Sequence, residues 1–67
     1  MRLSEPQHRL LARLPDLPSD GGRVRGAQKR AAQSLEAMGL IRLVGASQVS
    51  AAHYYARTPE GRRMIET

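Results

Sequence analysis

The chain has 67 residues, room for one small domain, read as residues 1–67. It contains no cysteine, which excludes disulfides and thiolate metal sites as staples. No apolar run approaches membrane-spanning length and the first residues lack the apolar centre of a secretory signal, so a cytoplasmic protein with no membrane role is expected.

The formal net charge is +5, and its placement says more than its size. Positions 1–20 balance Arg2, Arg9 and Arg13 against Glu5, Asp16 and Asp20. Positions 58–67 balance Arg62 and Arg63 against Glu60 and Glu66. Between 21 and 57, Arg23, Arg25, Lys29, Arg30, Arg42 and Arg57 face Glu36 alone. A genome-wide preference for arginine over lysine does not account for acids missing from one segment. Such a segment points to a polyanionic partner.

In chain order, "SEPQ" opens the first element. Ser4 stands at an N-cap with Gln7 three residues on, the spacing of a capping box, and Pro6 fits the first turn. Leu10, Leu11 and Leu14 then follow helical spacing, and Pro15 forces the residue before it out of the α region, so a helix is predicted over 5–14. "PDLPSDGGRVRG" reads as a loop from which Leu17 and Val24 dip into the core, with a short helical turn near 18–22.

"AQKRAAQSLEAMGL" is the strongest helical stretch. Gln28, Ala31, Ala32, Leu35 and Met38 share one side, and Lys29, Arg30, Gln33, Glu36 and Ala37 share the other. Gly39 in the left-handed conformation, with Leu40 packed on Leu35, would end it as a Schellman motif. "LIRLV" reads as a strand with Ile41 and Leu43 on one face, "GASQVSAA" as a hairpin loop and "HYYAR" as the returning strand. Thr58 as N-cap and Pro59 at the first helical position open a last helix to about 66.

A helix ending in Gly-Leu-Ile that passes at once into a hairpin resembles the core of bacterial winged helix-turn-helix regulators, the MarR-like and PadR-like groups among them. Leu35, Glu36, Gly39, Leu40 and Ile41 match the end of their recognition helix. Tyr55, Thr58, Pro59 and Gly61 match the Tyr-x-Leu-Thr-Pro-x-Gly stretch that follows their wing. The resemblance covers about half the chain. It departs at Arg57, where those families carry leucine, at the short Gly-rich stretch before the recognition helix, and in lacking long terminal dimerisation helices. It implies an α+β winged helix with three helices and a two-stranded hairpin, and a small sequence-specific double-stranded DNA-binding protein, a transcriptional regulator of bacterial or phage type.

On that reading Lys29, Arg30 and Gln33 face the major groove, where lysine and arginine donate to guanine and glutamine pairs with adenine. Arg23 and Arg25 neutralise phosphates ahead of the helix. Gln28, Arg42, Ser47 and Gln48 complete the set of DNA contacts, although the wing loop itself holds no Lys or Arg. A second copy or another protein would join on the DNA.

Other chemistries find less support. His8 and His53 lack the spacing of metal ligands, no serine sits in a Gly-x-Ser-x-Gly elbow, and "GGRVRG" lacks the Lys-Ser/Thr of a phosphate loop. No catalytic residue, metal or cofactor is expected. The competing readings are a winged-helix protein–protein interaction module and a basic RNA-binding domain.

Overall fold

The computed structural model describes residues 2–66. Helix α1 spans Glu5–Arg13. Its capping box is complete: the Gln7 N–H donates to Ser4 Oγ at 3.3 Å, and the Ser4 N–H donates to Gln7 Oε1 at 2.9 Å. The helix stops one residue earlier than expected. Leu14 is already extended, at φ −74° and ψ 147°, because Pro15 follows it.

The next segment departs from expectation. The described 15–21 stretch has no helical turn; two prolines and the following glycines disfavour one. Its backbone instead joins the far end of the sheet. The Arg57 N–H donates to Pro15 O at 2.7 Å, and the Leu17 N–H donates to Arg57 O at 3.0 Å. Leu17 is only half-buried. Gly21, at φ +90°, then turns the chain into a short strand, β1, at Gly22–Val24. The sheet therefore has three strands and not two. Three residues with a glycine among them are too few to show alternation, and only a partner strand makes them one.

A 3₁₀ turn at Gly26–Gln28 leads into helix α2, Lys29–Ala37. The end of α2 is the expected Schellman motif. Gly39 sits at φ +77°, its N–H donates to Glu36 O at 2.9 Å, and the Leu40 N–H reaches back to Leu35 O at 3.0 Å.

Strand β2, Ile41–Ala46, and strand β3, His53–Arg57, form the hairpin. All pairing is antiparallel, in the order β1-β3-β2. Ile41 pairs with Arg57 and Leu43 with Tyr55, so alternation holds until a bulge shifts the register between Leu43 and Gly45. The loop is tighter than the sequence suggested and is closed by the Ser47 N–H on Ala52 O at 2.8 Å.

Helix α3, Pro59–Glu66, completes the fold. Leu10, Leu11, Leu14 and Leu35 are at most 1% exposed and form the centre of the core, joined by Val24, Leu40, Ile41 and Tyr55. Burying each leucine is worth about 1.5–3 kcal/mol.

The two halves of the motif meet in space. Thr58 Oγ1 donates to Gly39 O at 2.7 Å and accepts from the Gly61 N–H at 3.2 Å, while the Thr58 N–H donates to Leu40 O at 3.1 Å. One threonine thus caps α3 and clamps the end of α2. Gly61 is buried because α3 lies directly on the Leu40 carbonyl.

Arg57, in the place of a leucine, folds its stem inward, and its side chain is 13% exposed. Its Nε donates to Asp16 Oδ1 at 2.8 Å and its Nη1 to Leu11 O at 3.4 Å. Arg62 Nη1 approaches the other carboxylate oxygen of Asp16 at 3.6 Å.

Candidate nucleic-acid interface

The exposed side of α2 carries the residues expected there. Lys29, Arg30 and Gln33 are all exposed, whereas Ala32 and Leu35 are buried. With ~3.6 residues per turn, Gln33 falls between Lys29 and Arg30 around the helix axis. Lys29 borders the wing side of the helix, next to His53. Arg30 borders the α1 side, next to Ser4 and Gln7. Glu36 follows one turn after Gln33, also exposed.

Arg23 on β1 and Arg25 just after it are both exposed and line one hollow with Arg13. Arg13 is held from inside. Its Nη2 donates to Arg23 O at 2.7 Å and to Gln28 Oε1 at 3.2 Å, tying α1 to β1 and to the turn that leads into α2. Gln28 is accordingly half-buried and engaged within the chain, which leaves less of it for an outside partner.

Three cations elsewhere are compensated. Arg9 pairs with Glu5 at 2.6 Å, Arg57 with Asp16 at 2.8 Å, and Arg62 with Glu66 at 2.7 Å. Among the described residues, Arg13, Arg23, Arg25, Lys29 and Arg30 have no carboxylate within salt-bridge distance. Carboxylates neutralise one arginine each on α1, β3 and α3. Of the eight cations without such a partner among the described residues, Arg2, Arg42 and Arg63 are on other segments, and the other five stand where β1 leads into α2.

The remaining expected contacts are dispersed. Arg42 is exposed on β2 opposite Ala56, just past the C-terminal cap of α2, and so lies at the other end of that helix from Lys29. Ser47 is absorbed by the hairpin loop, where its Oγ accepts from the Ser50 N–H at 3.3 Å. Gln48 is exposed at the tip, beside Val49, a large apolar residue left 99% exposed.

Two residues were missed in the sequence reading. Arg13 reveals its role only through contacts across 10 and 15 positions, which no local pattern carries. His53 was weighed only as a metal ligand. It lines a cleft with Arg25, Lys29 and Tyr55, and strand alternation puts His53 and Tyr55 on one face. Tyr55 is 7% exposed; burial, with Glu36 adding to it, pushes its hydroxyl above the ordinary value of 10.0. It stays protonated at neutral pH. Tyr54, its neighbour, is half-buried, so the pair forms no exposed stacking platform.

Among the described residues no group of three His, Asp or Glu side chains gathers in a metal-binding arrangement. No described helix is long and apolar enough to cross a membrane. No protein-family model, no curated protein and no solved structure matches this chain.

Proposed function

We propose that the chain is a small winged-helix protein that binds double-stranded DNA, with α2 as the helix that enters the major groove and β2–β3 as the wing. The observation that carries this reading is a cluster of charge: five of the eight cations without carboxylate partners among the described residues, brought from α1, β1, the linker and α2 to one end of α2. Like charges gathered on a small domain repel one another, and a polyanion relieves that repulsion. The order of elements supports the reading as well. A helix closed by Gly39-Leu40-Ile41 passes into a hairpin, whose second strand leads through Thr58-Pro59-Glu60-Gly61 into a helix, as the resemblance to winged-helix regulators implies.

The roles follow from position. Arg30 and Gln33 meet base edges, Arg23 and Arg25 meet phosphates, and Arg13 holds the β1–α2 junction rigid between them. The protein acts by binding and not by catalysis, as a cytoplasmic transcriptional regulator of bacterial or phage type. One such domain neutralises few phosphates, so it pairs on DNA with a second copy or another protein.

One observation favours a second reading. The exposed large apolar residues, Leu43 at 42% and Val49, both lie on the wing, which suits docking on another protein. Titration against duplex DNA, single strands and RNA at several salt concentrations separates the two. Duplex binding that weakens linearly with log salt is expected. Duplex affinity weaker than ~10⁻⁴ M at low salt would refute the DNA reading. Base reading has its own signature: Arg30→Ala should cost ~1–3 kcal/mol on the preferred site and much less on random duplex.

A further inference from the structure

Between the first turn of α2 and the loop end of the wing lies a cleft of about 150 Å³. Four polar side chains line it: Arg25 from the linker, Lys29 from α2, and His53 and Tyr55 from β3. Val24 and Ala32, both buried, form its apolar floor. Every one of these polar groups offers a donor. The guanidinium and ammonium donate only, the phenol keeps its proton, and a neutral imidazole still carries one N–H. No carboxylate lines the cleft, and among the described residues neither Arg25 nor Lys29 has a salt-bridge partner. A concave site with donors from three segments, no carboxylate in its lining and an apolar floor suits an oxyanion, because Arg25 and Lys29 outweigh Glu36, whose charge also acts on the Tyr55 hydroxyl.

The cleft's place in the fold selects the source of that oxyanion. It opens on the flank of α2 that carries Lys29, beside the face formed with Gln33 and Arg30. A helix seated in a major groove ~12 Å wide has a phosphate backbone along each flank. The wing-side flank is where this cleft lies. Its volume has room for a single phosphate group.

We propose that this cleft seats one phosphodiester of the duplex backbone, with Arg25 and Lys29 neutralising it and His53 and Tyr55 donating to its non-bridging oxygens. The inference rests on the reading of the chain as a duplex DNA binder and adds the two β3 residues to its contacts.

The test uses the full chain and a duplex of random sequence, with affinity measured by fluorescence anisotropy across a salt series. Tyr55→Phe keeps the buried ring and removes only the hydroxyl. It should weaken random and preferred duplex by the same factor, about tenfold, the worth of a hydrogen bond to a charged group. Lys29→Met should lower the salt slope by about one unit. Inorganic phosphate titrated into the unliganded protein should shift the NMR signals of the His53 ring and the Arg25 Nε–H. Wild-type binding to duplex with both variants unchanged in affinity and slope overturns the cleft and leaves the DNA reading standing. A wild-type chain that binds no duplex overturns both, whatever phosphate does to the spectrum. Circular dichroism of each variant establishes that the fold is kept.

Discussion

Gly61→Ala tests the joint on which the fold turns. In an ordinary helix this change stabilises, because glycine costs about 0.5–1 kcal/mol relative to alanine. Here the added Cβ would overlap the Leu40 carbonyl oxygen, lie 3.0 Å from its carbon and 3.2 Å from Leu11 Cδ1. The carbonyl is not at liberty to swing away. It accepts the Thr58 N–H at 3.1 Å, and the same residue's N–H closes the Schellman motif on Leu35. Overpacking of this kind costs about 1–3 kcal/mol, and losing the Thr58 bond a further ~0.5–1.5 kcal/mol. After the helical gain, a net loss of about 1–3 kcal/mol remains. For a domain of this size each kcal/mol moves Tm by ~4–8 °C, so a fall of about 10–15 °C is expected in the middle of that range. Gly26→Ala is the control. A Cβ there meets nothing within 4 Å, so thermal melts should show no loss. A Gly61→Ala protein melting at or above the wild-type temperature would refute the close approach of α3 to Leu40.

Gly39→Val probes strain without crowding, because φ is +77° but a Cβ there has open space within 4 Å. It should cost ~1–2 kcal/mol by denaturant titration, and Gly39→Asn distinctly less, since asparagine tolerates the left-handed region. Arg57→Leu restores the residue of the resembling families and removes an ion pair whose carboxylate is 35% exposed and keeps Arg62 nearby. The expected loss is about 1 kcal/mol or less, and more than ~3 kcal/mol would show that Asp16 is left stranded as a desolvated charge. Alkali should destabilise the protein through Tyr55. The folded state holds the phenolic proton more tightly than the unfolded state, so this contribution is complete below pH 10.0 and is lost as pH rises through the raised folded value. Melting curves on either side of that pH should show the decline, and Tyr55→Phe should flatten it.

Much of the fold was legible because its signals are local. Ser4 with Gln7, Gly39 with Leu40, and Thr58 with Pro59 each act within a few residues, and each appears as a cap in the structure. The apolar spacing of α1 and α2 likewise named the buried leucines. What could not be read is what depends on partners far along the chain. The β1 strand exists because β3 offers it an edge, Asp16 is placed by Arg57 across 41 positions, and the hollow at Arg23 and Arg25 is set by Arg13. The interface follows the same rule. Helical periodicity found the exposed face of Lys29, Arg30 and Gln33, but the partners that compensate or expose each charge are tertiary. Arg42 stood with Arg25 among the expected DNA contacts, and the path of β2 puts it at the other end of α2.

The two ends of α2 have been given different physical tasks, and this is what makes the DNA reading coherent. At its C-terminal end the backbone is saturated: the Schellman bonds, the Thr58 hydroxyl on Gly39 O and the Thr58 N–H on Leu40 O fix it against α3. At its N-terminal end Gln28 makes no side-chain cap, Arg25 makes none for the turn before it, and the neighbouring cations have no carboxylate partners among the described residues. A domain of this length has few kcal/mol to spare, so leaving repulsive charge at one end requires rigidity at the other. Backbone and cap hydrogen bonds tie α2 to α3 at one end, and a cluster of cations without carboxylate partners stands at the β1–α2 junction at the other. A variant such as Gly61→Ala should therefore lower the melting temperature while leaving duplex affinity per folded molecule unchanged. Arg25→Ala should do the reverse, weakening the complex and lowering its salt slope by about one unit while the free protein melts no earlier. Loss of both properties together in either variant would mean that the two ends are one cooperative unit, and that the separation of tasks along α2 is wrong.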